Sequence, residues 1–259
     1  RLPGRETIAS KIAAGSSDLL FTSRSLRDDF LSWLPPVLRA EVAGRAHVSA
    51  MGVDEAPDLP RRAARARWGL SRFTVLSLGR LIPLKGVEDL ARALAGEDVD
   101  LVIAGEGPER RRIERALGPR ARVVGPVHGE AKAALLRAAD MLCLPSRVEP
   151  SGRTEGAPTV ALEAAAAGLP IVASAVGALP ELFSHEQTAL LVPPGDLAAL
   201  RAAILRARDE PALRKKLARA ARAIGRRHRW SEIAPHLDRL LRGDPDRQSN
   251  LQAGRAPQG

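Results

Sequence analysis

PSRVEPSGRTEGAPTVALEAAAAGLPIVAS, residues 145–174, reads as a strand end, a polar loop, a short helix and the start of a further strand. Glu155 stands just before the helix and Glu163 inside it, eight positions on. Gly156, Ala157 and Pro158 form the turn, and Pro158 suits a first helical position, where its missing N–H leaves nothing unpaired. The helix start near Thr159 then offers free backbone N–H groups to an anion. A carboxylate beside an anion site implies a ligand that also carries hydroxyls, such as a sugar attached to a phosphate. Taken alone, the same spacing equally describes an amphipathic helix with two solvated glutamates.

The chain on either side repeats the strand–loop–helix pattern. Residues 73–78 form a β-branched and apolar run, read as a buried strand. Gly79, then Arg80-Leu81-Ile82-Pro83-Leu84-Lys85-Gly86, lead into a helix over 87–94. Strand–glycine loop–helix is a geometry that sets phosphates at a helix terminus, although Lys85-Gly86 is not the Gly-Lys-Ser/Thr order of a Walker loop. Strands follow at 99–104, 121–124, 140–144 and 170–174, with helices at 109–117 and 130–138 between them. The alternation over 73–208 predicts an α/β fold, a doubly wound, Rossmann-like parallel sheet with ligands at the strand carboxyl ends. Gly105-Glu106-Gly107 offers a weak dinucleotide reading, because Arg110 stands where a third glycine is needed and no ribose-binding acid follows.

On these residues the chain resembles the retaining glycosyltransferases of the GT-B fold, family 4 (glycosyl transferases group 1). Glu155-(seven residues)-Glu163 before AAAAGLPIVAS matches that family's E-x7-E signature, and Gly79-Arg80-Leu81…Lys85-Gly86 its GRL-x-x-x-KG motif. The resemblance implies that Arg80 and Lys85 bind the donor diphosphate, that Glu155 holds the donor sugar and that Glu163 holds the ribose. It adds Gly79, Ala157, Pro158 and Thr159 to the donor site, with Val127 and His128 bordering the base. Glu155, Arg80 and Lys85 become the catalytic candidates. A nucleotide-diphosphate sugar is then the donor substrate, with no cofactor or metal required, and the acceptor a glycan, a lipid-linked or a small-molecule hydroxyl. Two turns depart from the pattern: Ala178 and Ala189 stand where the family has glycine. Three other readings stay open: a nucleotide-sugar-binding fragment without turnover, and an epimerase or a phosphorylase on the same architecture.

Residues 1–54 read as helix, strand, helix, strand, the end of a partial second α/β domain on the acceptor side, so the chain is expected to be a fragment. The donor domain is expected over 55–230, a crossover helix over 231–242 and a disordered tail over 243–259. Forty basic and thirty acidic residues give a net charge of +10, which suits phosphorylated ligands, an anionic membrane surface or nucleic acid. Few aromatics and no nucleic-acid motif argue against the last. The single Cys143 excludes an internal disulfide and a cysteine zinc cluster, and the five histidines have no metal-ligand spacing. No stretch reads as a signal peptide or membrane span; a cytoplasmic protein is expected, with peripheral contact at the inner membrane face as an option.

Overall fold

The computed structural model describes residues 4–55, 57 and 59–242; the tail expected over 243–259 lies outside the described residues. At the N-terminus α1 (Arg5–Ala14), β1 (Leu19–Phe21), α2 (Arg24–Ser32), α3 (Pro36–Gly44) and β2 (Ala46–Val48) form a small unit. β1 and β2 pair in parallel, and Ala9, Ala13, Phe30, Leu34 and Val42 make a core of their own. Ser23 begins α2 with an extended backbone, its Oγ accepting the Leu26 N–H at 3.2 Å. The sequence reading ran from α2 straight to β2. It passed over α3, a helix opened by Pro36 that buries only Val42 and so carries little apolar periodicity.

The helix α4 (Arg61–Trp68) connects this unit to the large sheet. Its Arg61 and Arg65 both bind the Asp140 carboxylate, which also accepts the Thr74 N–H at 2.9 Å. Then follow β3 (Thr74–Leu78), α5 (Val87–Ala93), β4 (Asp100–Ala104), α6 (Arg110–Ala116), β5 (Ala121–Gly125) and α7 (Gly129–Ala138). The second half holds β6 (Met141–Leu144), α8 (Thr159–Ala167), β7 (Ile171–Ser174), α9 (Leu179–Leu182) and β8 (Leu190–Val192). Three helices close the described chain: α10 (Leu197–Asp209), α11 (Pro211–Arg227) and α12 (Trp230–Arg242).

β3 to β8 make one six-stranded sheet in the order β5-β4-β3-β6-β7-β8, every neighbouring pair parallel. Strands buried on both faces explain why the sequence shows apolar runs rather than alternation. Leu76, Val102, Leu142 and Ile171 face α4, α7, α8 and α11, while Val75, Leu101, Met141, Cys143 and Val172 face α5, α6 and α10. The chain winds outward from β3 to β5, returns, and winds the other way from β6 to β8. The reversal puts a topological switch point between β3 and β6, the place where such sheets bind ligands. At the end of α11 the chain meets the first unit again. Val53 donates to the His228 carbonyl at 2.7 Å and accepts from Trp230 at 3.1 Å, with the Trp230 ring lying against Gly52.

Ala178, where the resemblance expects glycine, has φ −78° and ψ −7°, an ordinary right-handed conformation that needs no glycine. Glycine is needed one residue earlier. Gly177 has φ +56°, and a Cβ there would lie 1.8 Å from the Glu155 carbonyl oxygen.

Candidate functional site

The loops after β3, β6 and β7 interlock at the switch point. After β3 the chain turns through Gly79 and Arg80 into a single 3-10 turn, Pro83–Lys85. It leaves through Gly86 at φ +60°, where a Cβ would stand 2.0 Å from the Pro145 carbonyl oxygen of the β6 loop. The Arg147 N–H, in the β6 loop, donates to the Leu84 carbonyl at 2.8 Å. Its guanidinium grips the buried Asp89 of α5 with both Nε and Nη2. Hydrogen bonding to Asp89 holds Arg147 above its usual pKa against the partial burial that lowers it, and Asp89, Glu88 and Glu109 add attraction. The β3 and β6 loops are thereby fixed to one another at backbone and side-chain level.

That clamp brings two of the predicted residues into contact. Lys85 Nζ lies 2.6 Å from Glu155 Oε2, and Ser146 Oγ donates to the same oxygen at 2.9 Å. Side-chain exposures of 20% and 11% make this a largely buried ion pair rather than one in bulk solvent. Both bonds fall on Oε2, and no described residue pairs with Oε1. The Lys85 stem passes over Gly79, where a Cβ would come within 3.9 Å of Cε. The second glutamate is arranged alike. Glu163 Oε1 accepts from Lys132 Nζ of α7 at 2.8 Å, while Glu163 Oε2 is buried with no hydrogen-bond partner among the described residues. Thr154 Oγ1, next to Glu155, is likewise buried without a partner. Buried polar atoms in native proteins are nearly always paired, so these two make the segment 154–163 a candidate place for a polar ligand.

The remaining predicted residues line the same end of the sheet. Arg80 is exposed, and among the described residues its guanidinium has no partner. Pro158 is the residue before the helix rather than its first position, and α8 begins at Thr159. No side chain caps that start, so the predicted free N–H groups are present. Ala157 is half-buried, Val127 packs against the core, and His128 is exposed at the head of α7. Sequence reasoning missed Ser146, Thr154 and Lys132. Ser146 lies two residues past β6 and Thr154 in a polar loop, so nothing marks them without the fold. Lys132 lies on a surface helix, and only the α7–α8 packing brings it to Glu163. Among the described residues no group of three His, Cys, Asp or Glu side chains could hold a metal ion, and no helix is long and apolar enough to cross a membrane.

A hollow of about 510 Å³ lies at the opposite, amino-terminal ends of β4 and β5, lined by Arg72, Glu97, Asp98 and Arg120 among others. Its charges satisfy one another: Asp98 pairs with Arg72 and Arg120, and Glu97 with Arg201. It borders none of the residues above. Of the four buried side-chain atoms without a hydrogen-bond partner among the described residues, Thr154 Oγ1 and Glu163 Oε2 fall in the loop and helix after β6, and Trp68 Nε1 and Glu88 Oε2 on α4 and α5.

The doubly wound sheet, with paired cationic and acidic side chains at its switch point, is a Rossmann-like α/β domain of the GT-B type. The family model for glycosyl transferases group 1 matches residues 61–224. The chain belongs to that family. It is 36% identical over 229 residues to a glycogen synthase of Mycobacterium tuberculosis (strain CDC 1551 / Oshkosh), covering 83% of this chain and 51% of that protein. It is 30% identical over 264 residues to a GDP-mannose-dependent alpha-(1-6)-phosphatidylinositol monomannoside mannosyltransferase of the same strain, covering 94% and 66%. Among solved structures it resembles the sucrose-phosphate synthase of Thermosynechococcus elongatus, with a TM-score of 0.78 and 32% identity, over 94% of this chain and 62% of that one. The chain spans about half the length of the glycogen synthase.

Proposed function

We propose that this chain binds a nucleotide-diphosphate sugar at the switch point and serves transfer of the sugar, with retained anomeric configuration, to an acceptor hydroxyl. The observation that carries the reading is the Lys85–Glu155 pair. It joins the loops after β3 and β6 across the reversal of the sheet and leaves Glu155 Oε1 without a described partner. An ammonium beside a carboxylate with a spare oxygen is the pairing that a sugar diphosphate demands. Lys85 keeps two of its three N–H bonds for phosphate oxygens, and Glu155 accepts from a sugar hydroxyl. Glu163 Oε2 and Thr154 Oγ1, buried and unpaired, await hydroxyls in the same way, and the ribose supplies two of them to Glu163.

In this reading the sugar C1–O bond breaks with the electron pair leaving on the diphosphate, and the acceptor oxygen forms the new bond to C1 while passing its proton to the departing diphosphate. Charge grows on the leaving phosphate as an oxocarbenium-like sugar separates from it. Lys85, Arg80 and the uncapped N–H groups at the start of α8 are fixed donors aimed at that charge, an arrangement that is often the largest single catalytic contribution. Glu155 orients the sugar. Val127 and His128 flank the base. No residue of this site is assigned as a metal ligand, and the acceptor is a glycan, a lipid-linked or a small-molecule hydroxyl.

Calorimetric titration with UDP, GDP, ADP and NAD in turn tests the reading. One nucleoside diphosphate is expected to bind, with the Lys85→Ala variant losing that binding while the fold is kept. A folded protein that binds none of the four, or binds NAD alone, would sink it.

A further inference from the structure

The start of α2 is capped from far along the chain. Glu181 of α9 accepts the Arg24 N–H at 2.9 Å on Oε2 and the Ser25 N–H at 2.7 Å on Oε1. Ser23 Oγ takes the Leu26 N–H, and the Ser23 carbonyl takes the Arg27 N–H at 3.2 Å. The Arg27 bond is the first of the helix itself, and the Arg24, Ser25 and Leu26 donors that the helix start leaves over are all satisfied, two of them by one carboxylate of the large domain. No acidic residue of α2 itself lies in the first turn, so Glu181 also supplies the negative charge that a helix N-terminus favours.

The same turn holds the site loop. Ala178, three residues before Glu181, donates to the Gly156 carbonyl at 3.3 Å. Gly177 packs so closely on the Glu155 carbonyl that a side chain there would overlap it. A third contact closes the circuit, since a Cβ on Gly156 would lie 3.6 Å from Leu26 Cδ1 of α2. Residues 24–25 are thus bonded to Glu181 and Ala178 to Gly156, with the Leu26 side chain standing over Gly156.

We infer that Glu181 is a positioning residue: its carboxylate on the start of α2 couples the seating of the N-terminal unit to the placement of Glu155 and Gly156. The functional meaning rests on the donor-binding reading of Glu155, whereas the mechanical coupling does not. When the N-terminal unit is seated, Glu181 pins α9, the turn 176–178 follows, and the Glu155 backbone is braced from behind. Released, the loop keeps only the Lys85 and Ser146 contacts of the Glu155 side chain.

Amide hydrogen exchange on the full chain tests the coupling without any ligand. Two variants break the cap from opposite sides. Glu181→Ala removes the acceptor. Arg24→Pro removes one donor and suits the helix, because Arg24 is the first helical residue and Ser23 before it is already extended. Each is expected to raise exchange at Ala178, whose N–H is bonded to the Gly156 carbonyl of the site loop, by about five- to tenfold, the scale of a lost local contact, with β6 and β7 protected as before. Glu181→Gln, which keeps acceptor oxygen but not charge, is expected to restore part of the protection. Faster exchange confined to residues 24–27 in either variant would reduce Glu181 to a helix cap and overturn the coupling. If Glu181→Ala loosens the whole sheet, Arg24→Pro decides alone by the same criterion. Because no nucleotide is present, a failed donor reading leaves this outcome readable, and a failed coupling leaves the calorimetry intact.

Discussion

Lys85 and Glu155 come from segments 70 residues apart and meet at 2.6 Å, whereas Arg80, five positions before Lys85, stands exposed and unpaired among the described residues. The two cations therefore respond differently to deletion. Arg80→Ala is expected to leave stability within the scatter of a surface substitution and to weaken nucleoside diphosphate binding by about 1.5–3 kcal/mol, the worth of a charge-assisted contact. Lys85→Ala loses the same binding and also strips a mostly buried carboxylate of its counter-ion, so unfolding should fall by about 1–2 kcal/mol, discounted for its partial exposure. Paired calorimetry and urea titration separate the two, and equal stability losses would deny the ion pair any role in the resting site. For Glu163→Ala the expectation is weaker binding of nucleoside and nucleoside diphosphate alike, with pyrophosphate unaffected. Unchanged nucleoside affinity would remove the ribose role. Residues whose type matches a diphosphate or a hydroxyl, in a recognised spacing, were legible from the chain. Lys132, Ser146 and Thr154 were not, because their relevance comes from a partner brought close only by folding.

At the level of elements, α8 and α11 form the tightest junction of the large domain. The run AAAAG after Glu163 keeps α8 narrow, burying Ala161, Ala164 and Ala165 completely. Gly225 of α11 comes so close that a Cβ would lie 2.3 Å from the Ala166 backbone nitrogen. Its backbone is helical, so intrinsic propensity favours alanine there by about 1 kcal/mol. The clash opposes this, and overpacking typically costs about 1–3 kcal/mol. Gly225→Ala is accordingly expected to lower stability despite the better helix former, with α8 and its Glu163 displaced. A higher urea midpoint would show that the helices slide apart at no cost. The alanine run was read as part of a motif; the structure supplies its packing reason. Strand β8 and helix α9 escaped the sequence because three and four residues, bounded by prolines, give no measurable periodicity. The four inner strands, largely apolar because they are covered on both faces, and the edge strand β5 were legible within a residue or two.

Taken over the described residues as a whole, the apolar interior falls in three separate clusters, two on the faces of the large sheet and one confined to residues 9–42 with their neighbours. None of the buried residues of the first two clusters precedes Ala64. The large sheet should consequently hold its stability without the first unit, a division of the chain that we propose on this ground. Cys143 gives the means to test it. The thiol lies in β6 near the middle of the sheet, fully buried, and burial pushes its pKa well above the usual thiol range. Reaction with a thiol reagent then requires opening of the sheet itself, and the labelling rate reports the population of that open state. A chain lacking residues 1–49 is expected to label at the rate of the full chain within about twofold, since one domain with its own core keeps its own opening free energy. Labelling faster by a hundredfold would mean that the sheet borrows about 2.7 kcal/mol from the N-terminal unit. In that event the contacts at Glu181, Gly156 and Trp230 would belong to one cooperative fold rather than to a joint between two.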